Sequence, residues 1–173
     1  MEYSVTFKNH VRATGTSLLV VLLVLLGLYY LKNISDVNYR NIELNIALIC
    51  TITLLPVFYL HLEYFLFTRG KKINIDIDNS AICISKSANF LEKYTFKEIK
   101  KITIYMPPSW FRTWDKLQYL PFEQYHYARI FTQDGKEIIF TCLLAENVDE
   151  ALSVIKDIPI ERKKRLFASI LLR

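Results

Sequence analysis

The chain has 173 residues, 52% of them hydrophobic, with 22 Lys+Arg against 17 Asp+Glu and a formal net charge of +5. That length holds one ordinary domain, or a smaller domain plus a membrane anchor. Cys50, Cys83 and Cys142 are odd in number and far apart, which argues against a disulfide framework and for reduced, buried thiols.

The polarity is sharply divided. Residues 1–68 hold four basic side chains (Lys8, Arg12, Lys32, Arg40) and four acidic ones (Glu2, Asp36, Glu43, Glu63). The other 18 basic and 13 acidic residues all follow, so the whole net charge lies beyond Thr68. A neutral apolar stretch joined to a basic polar one is the composition of an anchor plus a soluble domain.

In chain order, residues 1–12 are a short polar start, expected in the cytoplasm. Residues 13–31, ATGTSLLVVLLVLLGLYYL, carry no charge, and as a helix they reach about 28 Å, close to the hydrocarbon core of a bilayer. A signal peptide would end in small residues at an A-x-A-like site; this run ends in Tyr29 and Tyr30, which suit the headgroup belt. Residues 46–67, IALICTITLLPVFYLHLEYFLF, form a second predicted span, with a kink at Pro56. His61 and Glu63 are its ionisable residues and lie in its last two turns. With Arg69 they are expected in an interfacial collar rather than in a proton path. The polar connection 32–45 makes the two spans a transmembrane hairpin. Lys8, Arg12, Arg69, Lys71 and Lys72 flank its outer ends, against Lys32 and Arg40 in the connection. This basic bias predicts that both termini are cytoplasmic and that the chain is a multi-pass protein of the cell (inner) membrane.

From Lys71 the period changes to two. Ile73, Ile75 and Ile77 alternate with polar residues, and Ile82 and Ile84 resume the alternation after the turn residues Asp78-Asn79-Ser80. Further strands are predicted at Phe90–Phe96 and Ile99–Met106, the latter ended by Pro107 and Pro108. Tyr125–Thr132 and Lys136–Leu143 form a hairpin around Asp134-Gly135. A helix is predicted at about Val148–Lys156, and residues 159–173 read as a basic amphipathic helical segment.

The segments Ser80–Lys86, Tyr94–Ile104 and Asp134–Phe140 resemble bacterial pleckstrin-homology-like (PH-like) domains. The resemblance covers about residues 70–158. It implies a membrane-anchored α+β protein: two transmembrane helices, then an antiparallel PH-like β-barrel over 71–158 plugged by a C-terminal helix. Many such proteins have a two-helix membrane hairpin directly before the domain, and the family supplies no catalytic residue to carry over.

Enzymatic constellations are not found. No Walker A, dinucleotide or nucleophile-elbow motif is present, and His10, His61 and His126 show no metal-site spacing with the cysteines. No cofactor, metal or catalytic residue is expected, and a Cys142–His126 pair reads as core packing. Two surfaces stand out. One is the aromatic connection, with Trp110, Arg112, Trp114 and Lys116; the other is the basic run Arg162, Lys163, Lys164 and Arg165. Amphipathic rings beside cations suit a headgroup layer or a protein partner, and a membrane tether argues against nucleic acid. The expected function is a non-enzymatic membrane-anchored scaffold or accessory subunit of a membrane complex. The partners expected are membrane lipids and a membrane protein or a second copy. The alternative is a ligand-sensing effector whose β domain binds a small molecule and drives oligomerisation of the helices.

Overall fold

The computed structural model describes every residue except 35–39, 87–90, 112–119, 157 and 173; the side chains of 31–34, 40–43 and 49 are likewise outside the description. The chain opens with β1 (Glu2–Ser4), α1 (Phe7–Ile34) and α2 (Arg40–Thr68). Then come β2 (Lys71–Asp76), β3 (Ala81–Lys86), β4 (Leu91–Thr95) and β5 (Ile99–Met106). After two short 3-10 turns, β6 (Tyr127–Thr132), β7 (Glu137–Thr141), α3 (Val148–Ser153) and β8 (Ile160–Lys164) complete it.

The strands build two four-stranded sheets, in the orders β1-β2-β3-β4 and β7-β6-β5-β8. Alternation puts Ile73 and Ile75 of β2 and Ile82 of β3 inward, while Ile102 and Ile104 of β5, Ile130 of β6 and Phe140 of β7 meet them in one core. Asp76 accepts from the backbone N–H of Asn79 at 3.0 Å, closing the β2–β3 turn. Gly135 takes φ +84° in the β6–β7 turn, a conformation that a Cβ would strain. Asn147 caps α3 by accepting from the N–H of Glu150 at 3.2 Å.

Several expectations are corrected. The two sheets do not close into a barrel. Ile77 lies in the β2–β3 turn and is exposed, because Asp76 has already started that turn. The expected Val148–Lys156 helix stops at Ser153. Residues 160–164 are a strand rather than a helix, and that strand runs parallel to β5, with Ile102 opposite Ile160 and Met106 opposite Lys164. Pro159 precedes it, and its carbonyl accepts from the N–H of Ile102 at 3.0 Å, so the chain enters the sheet already extended.

The helix pair also sits differently from an anchor placed before a domain. β1 pairs antiparallel with β2, Tyr3 opposite Ile73, so α1 and α2 are inserted between two neighbouring strands of one sheet. Both helices are long and apolar enough to cross a membrane, over Phe7–Tyr30 and Leu44–Thr68. Their domain-facing ends are part of the core: Ala13, Val57, Leu60 and Tyr64 are buried with the strand residues. Beyond those roots, Leu18, Leu22, Leu25, Leu48, Ile52 and Leu55 are exposed.

Candidate functional site

The roots are fixed by polar contacts as well as by packing. On α1, Asn9 donates to the carbonyl of Leu143 at 2.8 Å, and Arg12 pairs with Glu146 at 2.8 Å while donating to the Glu146 carbonyl at 3.1 Å. Between the helices, Nδ1 of His10 lies 2.9 Å from Nε2 of His61, and Nδ1 of His61 lies 3.0 Å from the Tyr125 hydroxyl. Glu63 and Tyr64 hold the last residues of the chain. The Tyr64 hydroxyl donates to the Ala168 carbonyl at 2.6 Å, and Glu63 accepts from the Ser169 hydroxyl at 3.1 Å and from the N–H of Leu171. Tyr127 donates to the Ser169 carbonyl at 3.0 Å, and the buried Arg129 donates to that of Ile170.

These contacts revise the expected collar. Glu63 is buried and turned into the domain, and His61 is half-buried in a hydrogen-bonded chain. Arg69 is exposed, 5.9 Å from the centre of the Phe65 ring. Tyr29 and Tyr30 are exposed near the far end of α1.

The two surfaces marked in the sequence become neighbours. β8 follows β5, the Arg165 N–H donates to the Met106 carbonyl at 2.8 Å, and the chain beyond Met106 turns into Pro108–Phe111. Lys164 consequently stands over the Phe111 ring at 5.1 Å. The four basic residues have different roles. Arg165 is structural: it donates to the carbonyls of Leu172 at 2.6 Å and Ser169 at 3.2 Å and lies over the Tyr105 ring. Arg162 pairs with Asp149 at 2.9 Å, Lys163 pairs with Glu161 at 3.2 Å, and both remain exposed with Lys164. Arg112, Trp114 and Lys116 lie outside the described residues.

Trp110 is half-buried, its ring 4.4 Å from that of His126, and its indole N–H has no hydrogen-bond partner among the described residues. It walls a cleft of about 430 Å³ that also touches Arg12, His126, Glu146 and Asn147. His126 is saturated. Nδ1 lies 2.9 Å from the Gln124 carbonyl, so it donates there, and Nε2 accepts from the N–H of Val148 at 3.3 Å. Burial pushes the His126 pKa down to about 4 and the Cys142 thiol up to about 11. A thiol held protonated and an imidazole with both nitrogens engaged do not make a nucleophile and base.

A family model described as PH domain matches residues 2–151, from β1 through the helix pair to α3. The chain belongs to the PH domain family. No curated protein and no solved structure matches it. PH domains are binding modules for lipids or proteins and are typically non-catalytic. In this PH domain the matched stretch includes both apolar helices, so they lie within the family's span rather than before it. Sequence reasoning missed Arg129; it read Tyr64 as interfacial and Tyr125 and Tyr127 as part of the aromatic connection, whereas all three are fully buried. They sit in ordinary strand and helix patterns, and what marks them is only the unusual density of tyrosine around Tyr125-His126-Tyr127.

Proposed function

We propose that this PH domain is a membrane-anchored binding module. The two helices cross a bilayer, the domain lies at the cytoplasmic face, and its surface around Trp110, Phe111, Lys163 and Lys164 contacts lipid headgroups or a partner protein. Its role is that of a scaffold or an accessory subunit of a membrane complex. The observation that carries the reading is the helix pair itself: exposed leucines cover it beyond the roots, while the roots are built into the domain core. An apolar surface of that extent in water would mark a site of association; a bilayer covers it at once. The aromatic and basic neighbours then lie beside the helix exit, where rings and cations both favour the headgroup layer.

The test is purification of the full chain from membranes in mild detergent. A protein recovered in fixed stoichiometry supports the subunit role. Binding of the reconstituted chain's domain face to added anionic vesicles, weakened by salt, supports the lipid role. Recovery of the chain in the soluble fraction, without detergent, would overturn the anchor.

A second reading, a ligand-sensing effector, is favoured by the cleft beside Trp110. Arg12 of α1 forms part of its wall, so a small molecule bound there would touch both the domain and a helix root. A ligand-dependent rise in oligomer size in detergent would distinguish it.

A further inference from the structure

The roots leave little bare helix. The domain reaches Thr16 on α1, where Gln124 donates to the Thr16 hydroxyl, and Tyr59 on α2, whose ring stacks on Phe167 at 5.9 Å. Beyond these contacts the apolar stretches run from Ser17 to Leu31 and from Ile46 to Phe58. At helical rise each covers only about 20 Å, some 10 Å less than a typical hydrocarbon core. The far ends add little apolar length, because Lys32, Asn33, Arg40, Asn41 and Glu43 are polar.

At the near ends the rim of the domain is apolar. Leu120 is 40% exposed, Leu166 53%, Leu171 62% and Leu172 57%. Phe122 and Phe167, two residues from Leu120 and next to Leu166, pack edge to face with ring centres 6.2 Å apart. The carboxylate that α2 would add at this level, Glu63, is turned inward to Ser169 and Leu171. Among the described residues, the exposed Arg162, Lys163 and Lys164 of β8 directly precede Arg165 and Leu166.

We propose that this rim is inserted in the bilayer, so that Leu120, Leu166, Leu171 and Leu172 form a third membrane-contacting element beside the two helices. The proposal rests on the reading that the helices span. An apolar face sinks about 5–10 Å into the headgroup and acyl boundary, which is the depth missing from the helices. The exposed cations of β8, Lys164 over the Phe111 ring among them, then meet anionic headgroups. Membrane contact is thus assigned to the C-terminal segment as a strapped loop, held flat against α2 by Tyr64, Tyr127 and Arg129, rather than as a free amphipathic helix.

The experiment uses the full chain with Cys50→Ala and Cys83→Ala, reconstituted into vesicles of phosphatidylcholine and phosphatidylglycerol. Cys142 is buried and stays unlabelled. Nitroxide labels are placed singly through Leu171→Cys, Leu172→Cys, Leu166→Cys, Leu23→Cys and Asp134→Cys, and collisions with oxygen and with a water-soluble nickel chelate are compared. Leu23 reports the helix interior. Asp134, in a turn a full strand away from Tyr125, reports water. The expected result is that labels at Leu166, Leu171 and Leu172 lose chelate access and gain oxygen access, as the Leu23 label does. Chelate access at all three equal to that at Asp134, with Leu23 protected, overturns the rim and leaves the spans standing. Chelate access at Leu23 removes the spans and the rim together.

Discussion

His126 shows how a single buried group sets a pH limit. In the folded chain burial holds its pKa near 4, whereas an unfolded chain returns it to about 6.5. Between those values the unfolded state binds a proton that the folded state refuses, so stability is full above pH 6.5 and falls as pH drops toward 4. The loss amounts to about 3 kcal/mol over that window. Thermal melts in detergent should therefore be flat from pH 8 to 7 and decline below 6.5; His126→Asn should lower stability at pH 7.5 and make the decline shallower. Trp110 lies against the same ring, and Trp110→Ala should destabilise by about 2 kcal/mol, because a half-buried ring is lost. Lys163→Ala with Lys164→Ala should change stability by less than about 0.5 kcal/mol, since both side chains are exposed. The same pair should reduce salt-sensitive binding to anionic vesicles; unchanged binding would place the contact elsewhere. The sequence marked Trp110 as a surface anchor, and only the contact with His126 reveals that part of its role is structural.

At the scale of elements, the strands whose alternation is bounded by turn residues were legible, and those without either signal were not. β5 was expected at Ile99–Met106 and is found there, because Ile102, Ile104 and Met106 face one core and Pro107 stops the ladder. β1 has only three residues and precedes the helices, so no periodicity announced it. β8 read as a helix because the spacing of Leu166, Phe167, Ile170 and Leu171 is helical; its own charges instead suit an exposed sheet edge. Beyond β8 the chain is held by side chains from α2 and β6 acting on its backbone. Tyr64→Phe removes one buried hydrogen bond, to the Ala168 carbonyl, and should cost about 1–2 kcal/mol by denaturant titration. A change near zero would mean that Glu63, Arg165, Tyr127 and Arg129 hold the strap without Tyr64.

For the whole molecule, the distribution of basic residues predicts that the connection between the helices lies outside the cell and that the sheets lie inside. A cysteine introduced at Asn38 should react with an impermeant reagent in intact cells, and one at Asp134 should not; the opposite pattern would invert the chain. The position of β1 has another consequence, for the order of assembly. Ser4 and Lys72 are partners in the first sheet, yet the whole helix pair separates them in the chain. Closing a flexible loop of that length carries an entropy of about 4 kcal/mol. Here α1 and α2 remove most of it, because two rods lying side by side bring Phe7 and Thr68 to the same end. Sheet closure must then wait for the helices to find each other, which for spans means waiting for insertion. A fragment beginning at residue 69 would lack β1, the buried Leu60 and Tyr64, and the carboxylate that holds Leu171. It should aggregate rather than fold, so domain and anchor are made together or not at all.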